Sequence, residues 1–526
     1  MEVSVFTLIR VIGSLAVAAM ASYAVRLYAT TWLKCERLRK KLRRQGIRGP
    51  APSFLYGNLP EMQRIQMKAK AAIDGAALPH GEFIAHDYTS SVFPYFEQWR
   101  KEYGLMYTYS NGLRQHLYIN QAELVKEMNQ CVTLLGKPSY VSKRLKPMLG
   151  NGIIRSNGHC WTQQRKIIAP EFFMDKVKGM VGLMVESVQT LLGTWDGRIE
   201  AEGGKTADIT VDEDLRSLSA DVISRACFGS SYVKGKEVFS KLRSLQNIMS
   251  KQSFLFGNSL FGFLPSKDGK EVRNLEKEIE LLIWKAIQER RRECAERTSG
   301  KDLMQLILEG AINDHNLDKE SSKQFIVDNC KNIYFAGHET TAVAASWCLM
   351  LLALHPKWQS QIREEVAQVC DGNTVNADAL LQSKAVTMVI QETLRLYPPA
   401  AFVSREALED TKIGNVNVPK NVCIWTLIPT LHRDPEIWGA DANEFKPQRF
   451  ADGISKACNY PQAYLPFGLG PRLCLGKNFA MVQLKIVLSL IVSRYNFSLS
   501  PKYQHSPTYQ MIVAPKHGVR ITIQKI

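Results

Sequence analysis

Cys474 lies in the stretch 467–476, FGLGPRLCLG, just ahead of an apolar helical pattern at 478–490 (NFAMVQLKIVLSL). This setting suits a thiolate that ligates iron. Gly468, Gly470 and Gly476 let the backbone approach a flat ligand and turn amide N–H groups towards the sulfur. The positive end of the following helix favours the thiolate. Phe467 is placed to cover the sulfur, and Arg472 to meet an acidic edge of the ligand. A thiolate on a haem iron pushes electron density that favours O–O cleavage. A buried structural cysteine in a turn is the plainer alternative.

A second group lies in FAGHETT at 335–341. Gly337 is costly inside a helix, and a threonine there competes for backbone carbonyls. Such local violations gather at functional sites, and the carboxylate of Glu339 beside the hydroxyl of Thr340 can relay protons. His338 reads as a polar filler, and a buried helix with a polar kink is the bland reading of the segment. Trp161 and Arg165, in GHCWTQQRK, share a helix face at i,i+4; Glu392 and Arg395, in QETLRLYPP, share one at i,i+3. Taken alone, either pair is an ordinary amphipathic face or surface ion pair.

The elements that must hold these groups are mainly helical. Apolar residues recur at three- and four-residue spacing over 177–192, 272–292, 301–311, 324–354, 358–369 and 384–396, which predicts helices. Shorter β-rich stretches fall at 107–109, 117–119, 416–418, 422–427 and 519–523, near the ends of the body. Segments 81–91, 201–208 and 314–319 read as loops. The expected fold is mostly α with small β-sheets.

The chain has 526 residues, 45% hydrophobic and 22% charged, with a net charge of +17, a globular composition. The apolar segment 3–25 carries only Arg10 and is long enough to span a bilayer. Lys34, Arg37, Arg39, Lys40, Lys41, Arg43, Arg44 and Arg48 follow it, against one acid, Glu36. Basic residues after the span keep that end in the cytosol. A cleaved signal peptide would want its charge before the apolar core. Residues 1–33 therefore read as an uncleaved anchor, 34–56 as a basic linker and Pro-rich hinge (Gly49-Pro50-Ala51-Pro52), and 57–526 as a single large domain. Beside a membrane the basic run reads as a contact for anionic lipid, not for nucleic acid. Eleven cysteines without a C-x-x-C, and no H-E-x-x-H, argue against zinc and for a reducing compartment.

The motif around Cys474, with FAGHETT, E-x-x-R and Phe445-Lys446-Pro447-Gln448-Arg449-Phe450, resembles the haem-thiolate monooxygenases of the cytochrome P-450 superfamily. The resemblance implies that fold, haem b ligated by Cys474, and a structural triad of Glu392, Arg395 and Arg449; the usual Glu of the last motif is Gln448 here. It further implies that Gly337 leaves room for O2, that Thr340 and Glu339 deliver protons to it, and that Trp161, Arg165, Arg405 and Arg472 hold the haem propionates. Segments 57–66, 86–104, 178–187, 301–311, 423–439 and 504–510 are similar to one branch of plant microsomal enzymes, which includes gibberellin oxidases and oxidases of pentacyclic triterpenoid acids. That likeness implies an endoplasmic-reticulum enzyme with its body in the cytosol, fed by NADPH through NADPH–cytochrome P-450 reductase. Its substrate would be a gibberellin or ent-kaurene-type diterpenoid acid, or else a pentacyclic triterpenoid acid. Two other classes are a reductase-independent haem-thiolate isomerase or dehydratase and a non-enzymatic haem protein. The intact Glu339–Thr340 pair argues against both.

Overall fold

The computed structural model of the chain describes residues 2–75, 86–229, 232–251, 267–296, 303–312, 318–369 and 382–526. The centre of the fold is a 36-residue helix, Lys319–Leu354, hereafter the distal helix. It packs against the helices Asp212–Phe228 and Lys477–Arg494. Its start is set five residues ahead of the predicted one by Asp318, whose side chain accepts from the Ser321 amide and satisfies a donor left free at the helix N-terminus.

The predicted helix at 384–396 forms with those bounds. The pattern at 177–192 instead divides at Gly179 and Met180 into Met174–Lys178 and Val181–Ala201. The predicted loop at 201–208 runs into a strand, Thr206–Thr210, which pairs with the C-terminal strand Arg520–Lys525; Tyr495–Leu499 completes that three-stranded antiparallel sheet. A five-stranded sheet has the order Met106–Asn111, Arg114–Ile119, Cys423–Leu427, Phe402–Ala407, Leu135–Gly136. Its only parallel pairing joins Arg114–Ile119 to Cys423–Leu427. Of the predicted loop at 81–91, residues 81–85 lie outside the described residues, 86–88 form no helix or strand, and 89–91 enter a short helix, Thr89–Val92. Of that at 314–319, only 318 and 319 are described.

Behind the loop that carries Cys474, the E-x-x-R pair is fully buried and bidentate, with Arg395 Nε and Nη2 at 2.7 and 2.8 Å from the Glu392 carboxylate. Arg395 also donates to the carbonyls of His432, Ala442 and Glu444. Arg449 Nε stands 3.4 Å from Glu392 and its Nη2 2.5 Å from Asp441. Gln448 leaves this arginine in place. The triad ties the helix Lys384–Leu396 to the segment 432–449.

The N-terminal helix Glu2–Leu27 is long and apolar enough to cross a membrane, and its described side chains are all exposed. Beyond it, the expected linker does not hang free. Residues Leu33–Arg43 form a helix whose Cys35 and Leu42 are buried against the strands Met106–Asn111 and Arg114–Ile119. Gly49 lies so close to Thr108 that a Cβ would meet its carbonyl oxygen at 1.8 Å. Contact with the body therefore begins near Cys35, ahead of the boundary drawn at Gly57, because one face of the basic helix is apolar. Each fully buried aliphatic side chain contributes about 1.5–3 kcal/mol. Deleting residues 1–32 should leave the melting temperature of the body nearly unchanged. Deleting 1–56 also removes Leu42 and Ile47 and should lower it clearly, as read by thermal unfolding.

Candidate active site

One buried cavity collects most of the chemically capable residues. It is bordered by Trp161 and Arg165 from the helix Gly158–Ile168, by Gly337 and Thr340 from the distal helix, by Arg405 from Phe402–Ala407, and by Phe467 and Cys474. The turn around Cys474 closes through its amide, which donates to the Phe467 carbonyl at 2.9 Å. Gly470, at φ +71°, passes so near the Asn129 carbonyl that a Cβ would stand 2.6 Å from it. The sulfur opens into the cavity and away from bulk water. Burial pushes the Cys474 thiol up; the Gly476 amide and the charge of Arg165 pull it down by less. These neighbours favour the thiolate but do not outweigh burial by themselves. A coordinated cation would, since metal binding deprotonates a thiol outright.

The opposite requirement appears at one edge of the cavity, where cations gather without an acid. No Asp or Glu lies among the described residues that border it. Arg405 is buried and donates to Asn129 Oδ1 at 2.8 Å and to the Ser404 carbonyl at 2.9 Å, while its Nε has no partner. Burial, with Arg472 nearby, pushes Arg405 down to about 10. Burial, with Arg405 and Arg472, pushes Lys137 down to about 7. Arg165 donates to the Leu473 carbonyl at 3.1 Å. A cavity with a sulfur on one wall, an aromatic and apolar lining and a cationic edge that lacks a counter-charge fits a flat iron-bearing ligand with acidic arms, which is the description of haem b. Cys474 would ligate its iron, and Arg165, Arg405, Lys137 and the Trp161 N–H would meet its carboxylates.

Several expected residues occupy other places. Arg472 stands one layer back: its guanidinium stacks 4.4 Å over Trp161 and donates to the Ser156 carbonyl and Asn157 Oδ1. The side chain missing from Gly337 would strike Ile223 at 2.6 Å, so the glycine serves the close approach of Asp212–Phe228 as well as lining the cavity. Glu339 does not border the cavity. It is buried, and Arg216 Nε donates to both its oxygens at 3.1 and 3.2 Å. Arg216 continues to Glu213, which is exposed and meets Arg243. Thr340 Oγ1 donates to the Ala336 carbonyl at 2.6 Å and so presents lone pairs to the cavity. His338 is buried against Phe239, and burial pushes it down to about 4, as suits a filler. Past Pro399, the residues Ala400, Phe402 and Val403 line the cavity. Ala401 does not, being packed in the core with its carbonyl accepting from Ile428. Lys137, Asn129 and Arg216 were missed, since isolated residues far apart in sequence carry no motif.

A proximal sulfur, a distal helix with a hydroxyl and a cationic edge define a haem-thiolate site. The chain belongs to the cytochrome P-450 family, whose model matches residues 81–523. Its relatives are plant proteins. It is 53% identical to cytochrome P-450 714A2 of Arabidopsis thaliana over 531 residues, covering 99% of this chain and 100% of that one. It is 49% identical to cytochrome P-450 714B3 of Zea mays, covering 100% and 98%, and 49% identical to cytochrome P-450 714C2 of Oryza sativa, covering 95% of each. The enzyme is a monooxygenase.

A hydrogen bond to a charged partner contributes about 1.5–3 kcal/mol. Arg405→Gln should therefore speed haem loss to apomyoglobin by roughly 10- to 100-fold, with thiolate ligation intact in the fraction that stays loaded.

Proposed function

We propose that this monooxygenase oxidises an unactivated C–H bond of a rigid polycyclic terpenoid acid, first a gibberellin or ent-kaurene-type diterpenoid acid. NADPH would supply electrons through a membrane-bound reductase. The helix Glu2–Leu27 would anchor it in the endoplasmic-reticulum membrane with the body in the cytosol. The position of the basic helix Leu33–Arg43, directly after the span, supports that orientation. The observation that carries the substrate reading is the cavity wall away from the cationic edge, formed by Ile153, Ile154, Ile333, Ala336, Pro399 and Ala400. A fused-ring acid loses little conformational entropy on binding such an apolar surface.

Bound haem would supply the redox chemistry, placing one oxygen of O2 in the product and releasing the other as water. The chain's own part is to position and to move protons. Thr340, donating to Ala336, holds its oxygen as an acceptor that orders a proton donor in the cavity. Glu339, held by Arg216, stands between that helix face and the exposed Glu213, so its carboxylate must leave Arg216 to carry a proton inward. Thr340→Ala should keep haem and substrate binding while product formed per NADPH falls on the order of 10²-fold, the usual cost of a lost proton-transfer group, with peroxide made instead. An unchanged ratio would count against the relay.

Ala400, small and on the cavity wall, leaves space for a fifth ring and supports a pentacyclic triterpenoid acid as the second substrate class. Purified with its reductase, the enzyme should convert at least one of a gibberellin, ent-kaurenoic acid and oleanolic acid. Ala400→Phe should then depress turnover of oleanolic acid more than that of the tetracyclic acids. Equal losses would mean that this wall does not measure ring number.

A further inference from the structure

The loop 150–157, GNGIIRSN, joins the helix Ser139–Leu149 to the helix that carries Trp161 and Arg165. Ile153 and Ile154 of this loop border the cavity. A loop of this length ordinarily satisfies its amides through turns or solvent. Here three of them are taken by side chains of the distal helix. Asn151 N donates to Asp328 Oδ2 at 2.7 Å, Ile153 N to Asn329 Oδ1 at 3.1 Å, and Ile154 N to Asn332 Oδ1 at 3.0 Å. Asn332 Nδ2 returns to the Leu149 carbonyl at 2.7 Å.

All three side chains are buried, at 1%, 0% and 1% exposure, and Asn332 itself borders the cavity. Each is held in turn: Gln324 donates to Asp328, Asn329 donates to the Phe325 carbonyl, and Asn332 donates to the Asp328 carbonyl. The fit is tight enough to dictate sequence in the loop. A Cβ at Gly150 would lie 1.8 Å from Asp328 Oδ1, and one at Gly152 would lie 2.3 Å from Asn332 Nδ2. The far end of the loop is fixed as well, since Ser156 and Asn157 receive Arg472 and the Lys137 amide donates to Asn157. Buried polar helix residues of this kind are costly unless fully paired, and nothing in helix formation calls for them.

We infer that Asp328, Asn329 and Asn332 are positioning residues for regioselectivity. They clamp Ile153 and Ile154 into one rigid wall of the substrate cavity, so that a bound ring system offers one C–H bond to the reacting centre. The inference rests on the proposed reading of the cavity as the site of a rigid polycyclic substrate. A wall free to move by about 1 Å would let a fused-ring substrate tilt, and misplacement of that size costs on the order of 10²-fold in rate at the right position.

The test uses the full-length holoenzyme with its reductase and compares wild type, Asn332→Ala, Asp328→Asn and Ile154→Ala. Hydrogen exchange reads the loop, and the isomer ratio of products from ent-kaurenoic acid and oleanolic acid reads regioselectivity. Asn332→Ala should quicken exchange at 153–154, keep the thiolate-type spectrum of the reduced, carbon-monoxide-bound haem, and lower the ratio of major to minor product by about tenfold. Asp328→Asn, which retains an acceptor for Asn151, should behave like wild type. If Asn332→Ala does not load haem, Ile154→Ala removes the wall side chain alone and should lower the same ratio. Faster exchange with an unchanged isomer ratio would overturn the inference, and so would unchanged exchange. Wild-type failure to oxidise either acid would sink the substrate reading instead, leaving the exchange comparison to decide whether the clamp holds the wall.

Discussion

Positive charge without a counter-charge is the constraint on which the site depends. Lys137, Arg165 and Arg405 border a cavity that no acid borders among the described residues, with Arg472 one layer behind. Buried cations left unpaired are strongly destabilising, and burial already draws Lys137 and Arg405 below their ordinary range. Such an edge is tolerable only if an anion completes it. The two carboxylates of haem would do so, while its iron would answer the other unmet demand, a buried thiol whose ionisation needs a cation beside it. Bound there, the cofactor and the fold would stabilise one another.

The distal helix meets three separate demands along its length. Near its start, Asp328, Asn329 and Asn332 hold a neighbouring loop by its amides. One turn on, Gly337 admits Ile223 of the crossing helix, and Thr340 bonds back to Ala336. Glu339 faces away from the cavity into an ion pair with Arg216 that leads towards the surface. These are the places where the helix departs from good helix chemistry, and all but Thr340, which bonds within the helix, are matched by a specific partner across an interface. The Glu392–Arg395–Arg449 triad plays the corresponding part beneath the haem loop, where it fixes backbone carbonyls and leaves the reaction to the cavity.

Local signals made much of this legible in the sequence. The amphipathic stripe at 384–396 and the turn before Pro398 gave both ends of one helix, and the glycines around Cys474 marked a backbone drawn close to another surface. Signals that depend on distant partners were silent. The strand Thr206–Thr210 exists because Arg520–Lys525 lies beside it, and its five residues carry no pattern strong enough to stand out from the GGK turn before them. Lys137 and Arg216 gain meaning only from neighbours far along the chain. Arg472 shows the same limit at finer scale: its motif is local, but its stacking on the Trp161 ring depends on a helix far earlier in the chain.

The central claim is that one sulfur, that of Cys474, ligates a haem iron in this cavity. Reduction of the purified protein under carbon monoxide tests it directly, because a thiolate ligand gives a Soret band far to the red of that seen with nitrogen or thiol ligation. Wild-type protein should show the red-shifted band and Cys474→Ala should lose it, whatever haem it retains. Survival of that band in Cys474→Ala would contradict the account.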